Sequence, residues 1–155
     1  MADTAVTISD DRVSPLSVQE QAATGFSHKF RVLFSDIAFG SGSTDTVTMT
    51  LGATPAKFIV NAGLVNVSTA FAGTGAMTII VGTALSTAAL IASTSILTAG
   101  ALVATSTTAI STNLKAVTAG SLVATFTNAT SGSPSALTAG ELAIYVNIQD
   151  LTELP

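Results

Sequence analysis

The sequence predicts an all-β fold, a two-layer β-sandwich preceded by an extended N-terminal arm. Period-two alternation of apolar and polar residues recurs from His28 almost to the C-terminal end. Gly, Ser and Thr cluster between the alternating runs, and no amphipathic helix of about 10 to 15 residues separates them, which argues against an open α/β sheet. At 155 residues the chain has the size of one domain, long enough to bury a two-layer core without disulfides or a metal. The expected division is an arm over residues 1–26 and a sandwich domain over residues 27–155.

The arm carries the densest run of charge, Asp10, Asp11 and Arg12, followed by Pro15 and the polar stretch Gln19, Glu20 and Gln21. It reads as an extended or mobile segment, ordered by a partner or not at all, in which Ser17 to Ala22 has the composition of one helical turn. From His28 the pattern changes. Phe30, Val32 and Phe34 share one face of HKFRVLFSDIAF, while Leu33 and Ile37 take the opposite parity, so this run reads as one long strand with a bulge. Val47, Met49 and Leu51 then alternate with Thr46, Thr48 and Thr50, giving a strand with a wet threonine face.

Residues 57–71 form a longer β-branched run in which Gly63 marks a bend or bulge, and 76–82 supply the next strand. TAGALVAT at 98–105, TAGSLVAT at 118–125 and TAGELAIY at 138–145 recur every 20 residues. Each copy sets a Gly before a short apolar strand, as expected where the backbone must adopt a conformation costly for other residues. The spacing reads as repeated strand-opening turns within one sandwich rather than as a solenoid. The last strands are SLVATFTNAT and ELAIYVNIQDL. Leu142, Ile144, Val146 and Ile148 make the clearest one-sided apolar row, and burying these four aliphatics contributes about 6 to 10 kcal/mol before conformational entropy is charged against it. The nearly uncharged stretch 84–130 fits either half of a sandwich or an elongated β extension, and its most helix-like piece, STAALIAS, is short.

Composition narrows the function. Charged residues make up 9% of the chain, against roughly 25% in an ordinary soluble domain, and 48% of residues are hydrophobic. Between Lys57 and Glu141 the only charged residue is Lys115. Low charge removes repulsion between copies and lowers the cost of desolvating a contact face, so self-association is the first expectation. A net charge of −4 with scattered basic residues gives no footprint for a phosphate backbone, and no direct nucleic-acid role is expected. MADTAVTISDD has acidic residues where a secretory signal carries Lys or Arg, so no cleaved signal is expected. Residues 86–104 approach the hydropathy of a spanning helix, but recurrent Ser and Thr, Gly100, and flanks without Lys/Arg clusters or Trp/Tyr belts argue against membrane insertion.

The chemistry-bearing residues are few. With no Cys and one His, a nucleophilic mechanism would have to centre on His28, and the abundant Ser and Thr have no other basic partner and no GxSxG elbow. His28 opens a core strand beside Lys29 and reads as a strand-end or interface histidine. Asp10 and Asp11 lack the spaced oxygen ligands and Gly of a calcium loop. FGSGSTD at 39–45 lacks the Lys of a phosphate-binding loop, and the glycan acceptor patterns NVS at 66–68 and NAT at 128–130 come without a secretory route. The reading is therefore of a non-enzyme, with no catalytic, cofactor-binding or metal-binding residue assigned and no cofactor expected.

The phrases HKFRVLFSDIA, TVTMTLGATPAKFIVNAGLVNVSTAF, TIIVGT and GELAIYVNIQDL resemble small structural proteins of tailed-bacteriophage virions, especially capsid decoration or cement proteins and related head proteins. The resemblance spans residues 28–148 and consists of strand texture rather than a diagnostic motif. It implies a jelly-roll-like sandwich, a homotrimer, terminal arms reaching neighbouring subunits, the major capsid protein as partner, and a place on the capsid exterior. Two alternatives share the same texture: a receptor- or carbohydrate-binding β module, for which the absence of Trp and the single Tyr145 leave few aromatic platforms, and a head-fibre or tail-associated adaptor.

Overall fold

Alternation along the chain becomes two stacked sheets in the computed structural model, which describes residues 4–7, 13–37, 39, 45–54, 58–73, 75–84, 86–100, 102–104, 115–116, 120–128 and 137–151. The elements in chain order are β1 (Thr4–Thr7), β2 (Val13–Pro15), α1 (Val18–Thr24), β3 (His28–Leu33), a single 3₁₀ turn (Phe34–Asp36), β4 (Asp45–Thr54), β5 (Phe58–Ala72), β6 (Met77–Thr83), β7 (Ser86–Ser95), β8 (Leu102–Ala104), β9 (Lys115–Ala116), β10 (Gly120–Asn128) and β11 (Ala139–Asp150). The first sheet has the order β1-β4-β10-β6-β7, and the second β2-β3-β11-β5-β8, with β9 also on β5. All pairs are antiparallel except β1 with β4. Beyond β3, successive strands change sheet, except for the β6–β7 hairpin and for β8 and β9, which share a sheet. The result is an all-β sandwich.

The buried layer lies between the sheets, as the period of two requires. Met49 of β4, Phe126 of β10 and Ile79 of β6 meet Val32 of β3, Ile144 of β11 and Val65 of β5 in one continuous core. Leu142, Ile144 and Val146 are fully buried, and Ile148 packs partly buried against the same cluster beyond an irregularity at Asn147/Ile148. The sequence-predicted core row is thus in place, and Val47, Met49 and Leu51 are buried while Thr46, Thr48 and Thr50 keep part of their surface exposed.

Several elements differ from the sequence expectation. The run from His28 is not one long strand: it stops at Leu33, where the Asp36 side chain accepts a hydrogen bond from the Leu33 N–H at 2.7 Å and a 3₁₀ turn follows. A short carboxylate offers the backbone a local partner that competes with the ladder. Nor does Gly63 form the bulge in β5. The register skips Asn61, which returns Val60 to the inward phase, whereas Gly63 pairs regularly with Val146. Gly63 is small because a Cβ there would lie 2.8 Å from Leu90 Cγ of the facing sheet. STAALIAS lies in strand β7, and β7, β8 and β10 place the uncharged middle of the chain in both sheets.

The three TAG copies open β8, β10 and β11, of which β10 lies in the first sheet and β8 and β11 in the second without pairing with each other, so the repeat encodes turns and not stacked coils. Gly100 and Gly140 have φ of 74° and 145°. The N-terminal segment is extended in conformation but laid against its own body: β1 runs beside β4, and β2 pairs with β3 through the connection α1. Leu16 is buried, and its N–H donates to Ser27 O at 3.0 Å. Strands of three and four residues are too short for their alternation to register in sequence. Helix α1 buries no residue and is held by its ends: a Ser17/Glu20 capping box, which draws the Glu20 carboxyl below its ordinary range through hydrogen bonds from Ser17, and Gly25 in the left-handed conformation. Asp10 and Asp11 lie outside the described residues, as do 40–44 of the glycine loop.

Candidate functional site

Register between β3 and β11 decides which side chains meet on the outer side of the second sheet. Because Phe30 and Val32 point inward with Ile144 and Leu142, the intervening Lys29 and Arg31 stand outside, opposite Tyr145 and Ala143. Tyr145 continues the row to Leu64 of β5. Phe26, from the connection before β3, brings its ring to 5.9 Å from that of Tyr145 at a tilt of 46°. The Lys29 ammonium lies 5.7 Å from the same ring, within the range in which the π-face attracts a cation.

One residue pair along, Arg31 Nε donates to Glu141 Oε1 at 2.8 Å. This bond holds the Glu141 carboxyl below its ordinary range and raises the Arg31 guanidinium further above its own, each through the hydrogen bond first. Both side chains remain substantially exposed, so the pair orients the face more than it stabilises the fold. Helix α1 flanks the region and carries Val18, 82% exposed, the one large hydrophobic so exposed among the described residues.

Beneath this face, Ser27 ties the N-terminal segment to β11. Its N–H donates to Val146 O at 2.9 Å, its hydroxyl accepts from Ile148 N–H at 2.8 Å, and Oγ lies 2.8 Å from His28 Nδ1. His28 stacks on Phe30 at 6.4 Å with an interplanar angle of 11°, and partial burial pushes its pKa down. The Ser27 hydroxyl is thus engaged in fixing strand β11, and the imidazole is a half-buried strand-end group, as its position in the sequence implies. Asn66 of the first glycan pattern is half-buried in β5, and Asn128 of the second is 1% exposed, closed to modification in the folded chain. Among the described residues no three His, Asp or Glu side chains converge in the manner of a metal site, and no helix is long and apolar enough to cross a membrane.

What the face can do is bind another surface without covalent chemistry. It combines aromatic rings with an oriented arginine, residue types enriched at the centres of protein interfaces. Sequence reasoning missed this grouping because Lys29 and Tyr145 become neighbours only through a register 116 residues apart in the chain, and no local motif signals it. The available signal was coarser: the only Tyr of the chain lies at a polar-parity position of its most regular strand. Comparison with models of known protein families, with curated proteins and with solved structures finds no match.

Proposed function

We propose that this protein is a structural component of a tailed-bacteriophage virion that decorates the capsid exterior, binding the major capsid protein as an oligomer and stabilising the shell. The strand order carries the reading. Four antiparallel strands β3-β11-β5-β8 face four others, β4-β10-β6-β7, with connections that cross between the sheets, which supports a jelly roll, an architecture used by viral capsid and lectin domains. Fold alone does not assign function. The second support is the scarcity of charge, with the aromatic and arginine side chains gathered on one outer face. On a lattice, an oligomer presenting several such faces converts modest contacts into firm attachment. The resemblance at residues 28–148 favours three copies and a capsid address.

The test is co-sedimentation with empty shells of the native particle. Tyr145→Ala and Arg31→Ala are expected to weaken binding by about tenfold each, the effect of losing a moderate hot-spot residue of about 1.4 kcal/mol, while leaving the fold intact. Absence of the protein from native particles refutes the role. A specific observation favours one other reading: the Phe26–Tyr145 pair is an aromatic platform of the kind sugars stack on. A reproducible, competable glycan-array signal lost in Tyr145→Ala would replace the capsid role with carbohydrate binding.

A further inference from the structure

Charge is divided unequally between the two sheets. The strands of the first sheet contain one charged residue, Asp45 at the start of β4. Those of the second contain Lys29, Arg31, Lys115, Glu141 and Asp150. The outer side of the first sheet presents instead hydroxyls and an aliphatic group in register. Thr46, Thr127 and Thr78 form one cross-strand row, and Thr48, Thr125 and Ile80 the next. Thr48 Oγ1 lies 3.2 Å from Thr125 Oγ1, so hydroxyls of this array pair with one another.

We infer that this face is where copies of the chain bind each other. A face that meets the same face of a second copy, the isologous contact of a two-fold pair, must be complementary to itself. Charged surfaces achieve that only through a matched pattern of opposite signs, whereas each threonine hydroxyl both donates and accepts, so an array of them fits a second array with no sign to match. Neutral groups also cost less to dehydrate than ions. The extent is adequate: four strands of seven to ten residues with β1 beside them, at about 4.8 Å between strands and about 3.3 Å per residue, cover roughly 600 Å². Two such faces meeting share outlines of about 1,200 Å² in total, comparable with the lower end of the range for specific stable interfaces, although Val123 and Thr125 at the centre are already buried within the chain. The inference rests on the self-association of the proposed function and refines it: a face that binds itself joins copies in two-fold pairs, not in the ring of three that the resemblance favours, and it leaves the second sheet free for the shell.

Light scattering on the full chain, with no capsid present, tests it. Wild type is expected at twice 15.4 kDa at micromolar concentration, and both Thr48→Lys and Thr78→Lys at the monomer mass with an unchanged circular dichroism spectrum. Thr69→Lys, exposed on β5 of the other sheet, should stay assembled. An independent reading uses the cysteine-free background: Thr78→Cys should react faster with a bulky maleimide as the protein is diluted, while the rate at Thr69→Cys stays constant. A monomeric or trimeric wild type, an oligomer unaffected by both lysines, or a Thr78→Cys rate that does not rise on dilution overturns the assignment. Shell binding that persists in any of those cases leaves the capsid role standing, so the two readings fail separately.

Discussion

Gly140 and Gly100 occupy the same position of the 20-residue repeat, and replacing each with alanine separates two costs that sequence similarity hides. Both have positive φ, 145° and 74°, but around Gly100 no atom lies within 4 Å of an added Cβ, whereas at Gly140 the Cβ would overlap the Phe71 ring, with Cε1 at 2.8 Å and Cγ and Cδ1 nearer still. Gly100→Ala therefore incurs only backbone strain, about 1 to 2 kcal/mol. Gly140→Ala incurs strain of about 1 to 3 kcal/mol and, because Phe71 is 3% exposed in a packed core, overpacking of about 1 to 3 kcal/mol more. The expected sum, about 2 to 6 kcal/mol, is a large part of the 5 to 15 kcal/mol that holds a typical domain together. Urea unfolding of both variants gives the comparison through the midpoints at constant slope. Phe71→Leu, which is destabilising alone, should be less so in the Gly140→Ala background, because the shortened side chain relieves the overlap. Equal losses in the two glycine variants, or strict additivity with Phe71→Leu, would refute the close-approach argument.

Partial burial lowers the His28 pKa below its ordinary 6.5, so below that pH the unfolded chain takes up the proton more readily than the folded one. Stability should be complete above pH 6.5 and decline as pH falls below it, and His28→Gln should flatten the profile between pH 7.5 and 5.5 in chemical denaturation; an unchanged slope would show that His28 is not responsible. Gly63→Ala should cost about 1 to 3 kcal/mol by driving a methyl into Leu90, which is 1% exposed, and Leu90→Val should recover part of it, as read by thermal unfolding. A chain beginning at Gly25 loses β1, β2 and the burial of Leu16, the last worth about 1.5 to 3 kcal/mol. It should unfold at a lower temperature yet keep its β circular dichroism, and a melting temperature equal to that of the full chain would show that the segment is not docked in solution.

The sandwich was legible where a strand has one dry and one wet side. In β4 and β11 the alternation alone identifies Met49 and Ile144 as core residues, because a period of two admits only one assignment of faces. It was less legible where geometry depends on a distant partner. Nothing local marks Asn61 as the residue skipped in the β5–β11 register, since the skip is defined by Asn147 and Ile148, and nothing local explains Gly63 without Leu90 across the core. The end of β3 at Leu33 was recoverable in principle from Asp36 three residues on, a side chain able to compete for the Leu33 N–H. The candidate contact face was not, because Phe26, Lys29 and Tyr145 belong together only after β3 and β11 have paired.

Sheet edges give the inferred division of faces a physical reason. Exposed edges invite uncontrolled pairing with other chains, and lysines are a common defence. Here the edge strands β1, β2, β7 and β8 contain no lysine, Lys115 of the two-residue β9 beside β8 on β5 being the exception, and elsewhere other devices replace it. β1 and β8 are four and three residues long, β2 ends in Pro15, which has no N–H to offer a further strand, and the one long edge, β7, pairs with β6 through two breaks in register. Edges shortened or bent in this way are poor templates for strand addition. The broad regular surfaces that remain are the two outer faces, and the one whose strands hold a single charged residue, Asp45, is the one inferred to be complementary to itself. On the inferred arrangement, a chain with so few charges limits association along its edges while permitting it across that face, where the contact ends with the extent of the sheet and does not propagate.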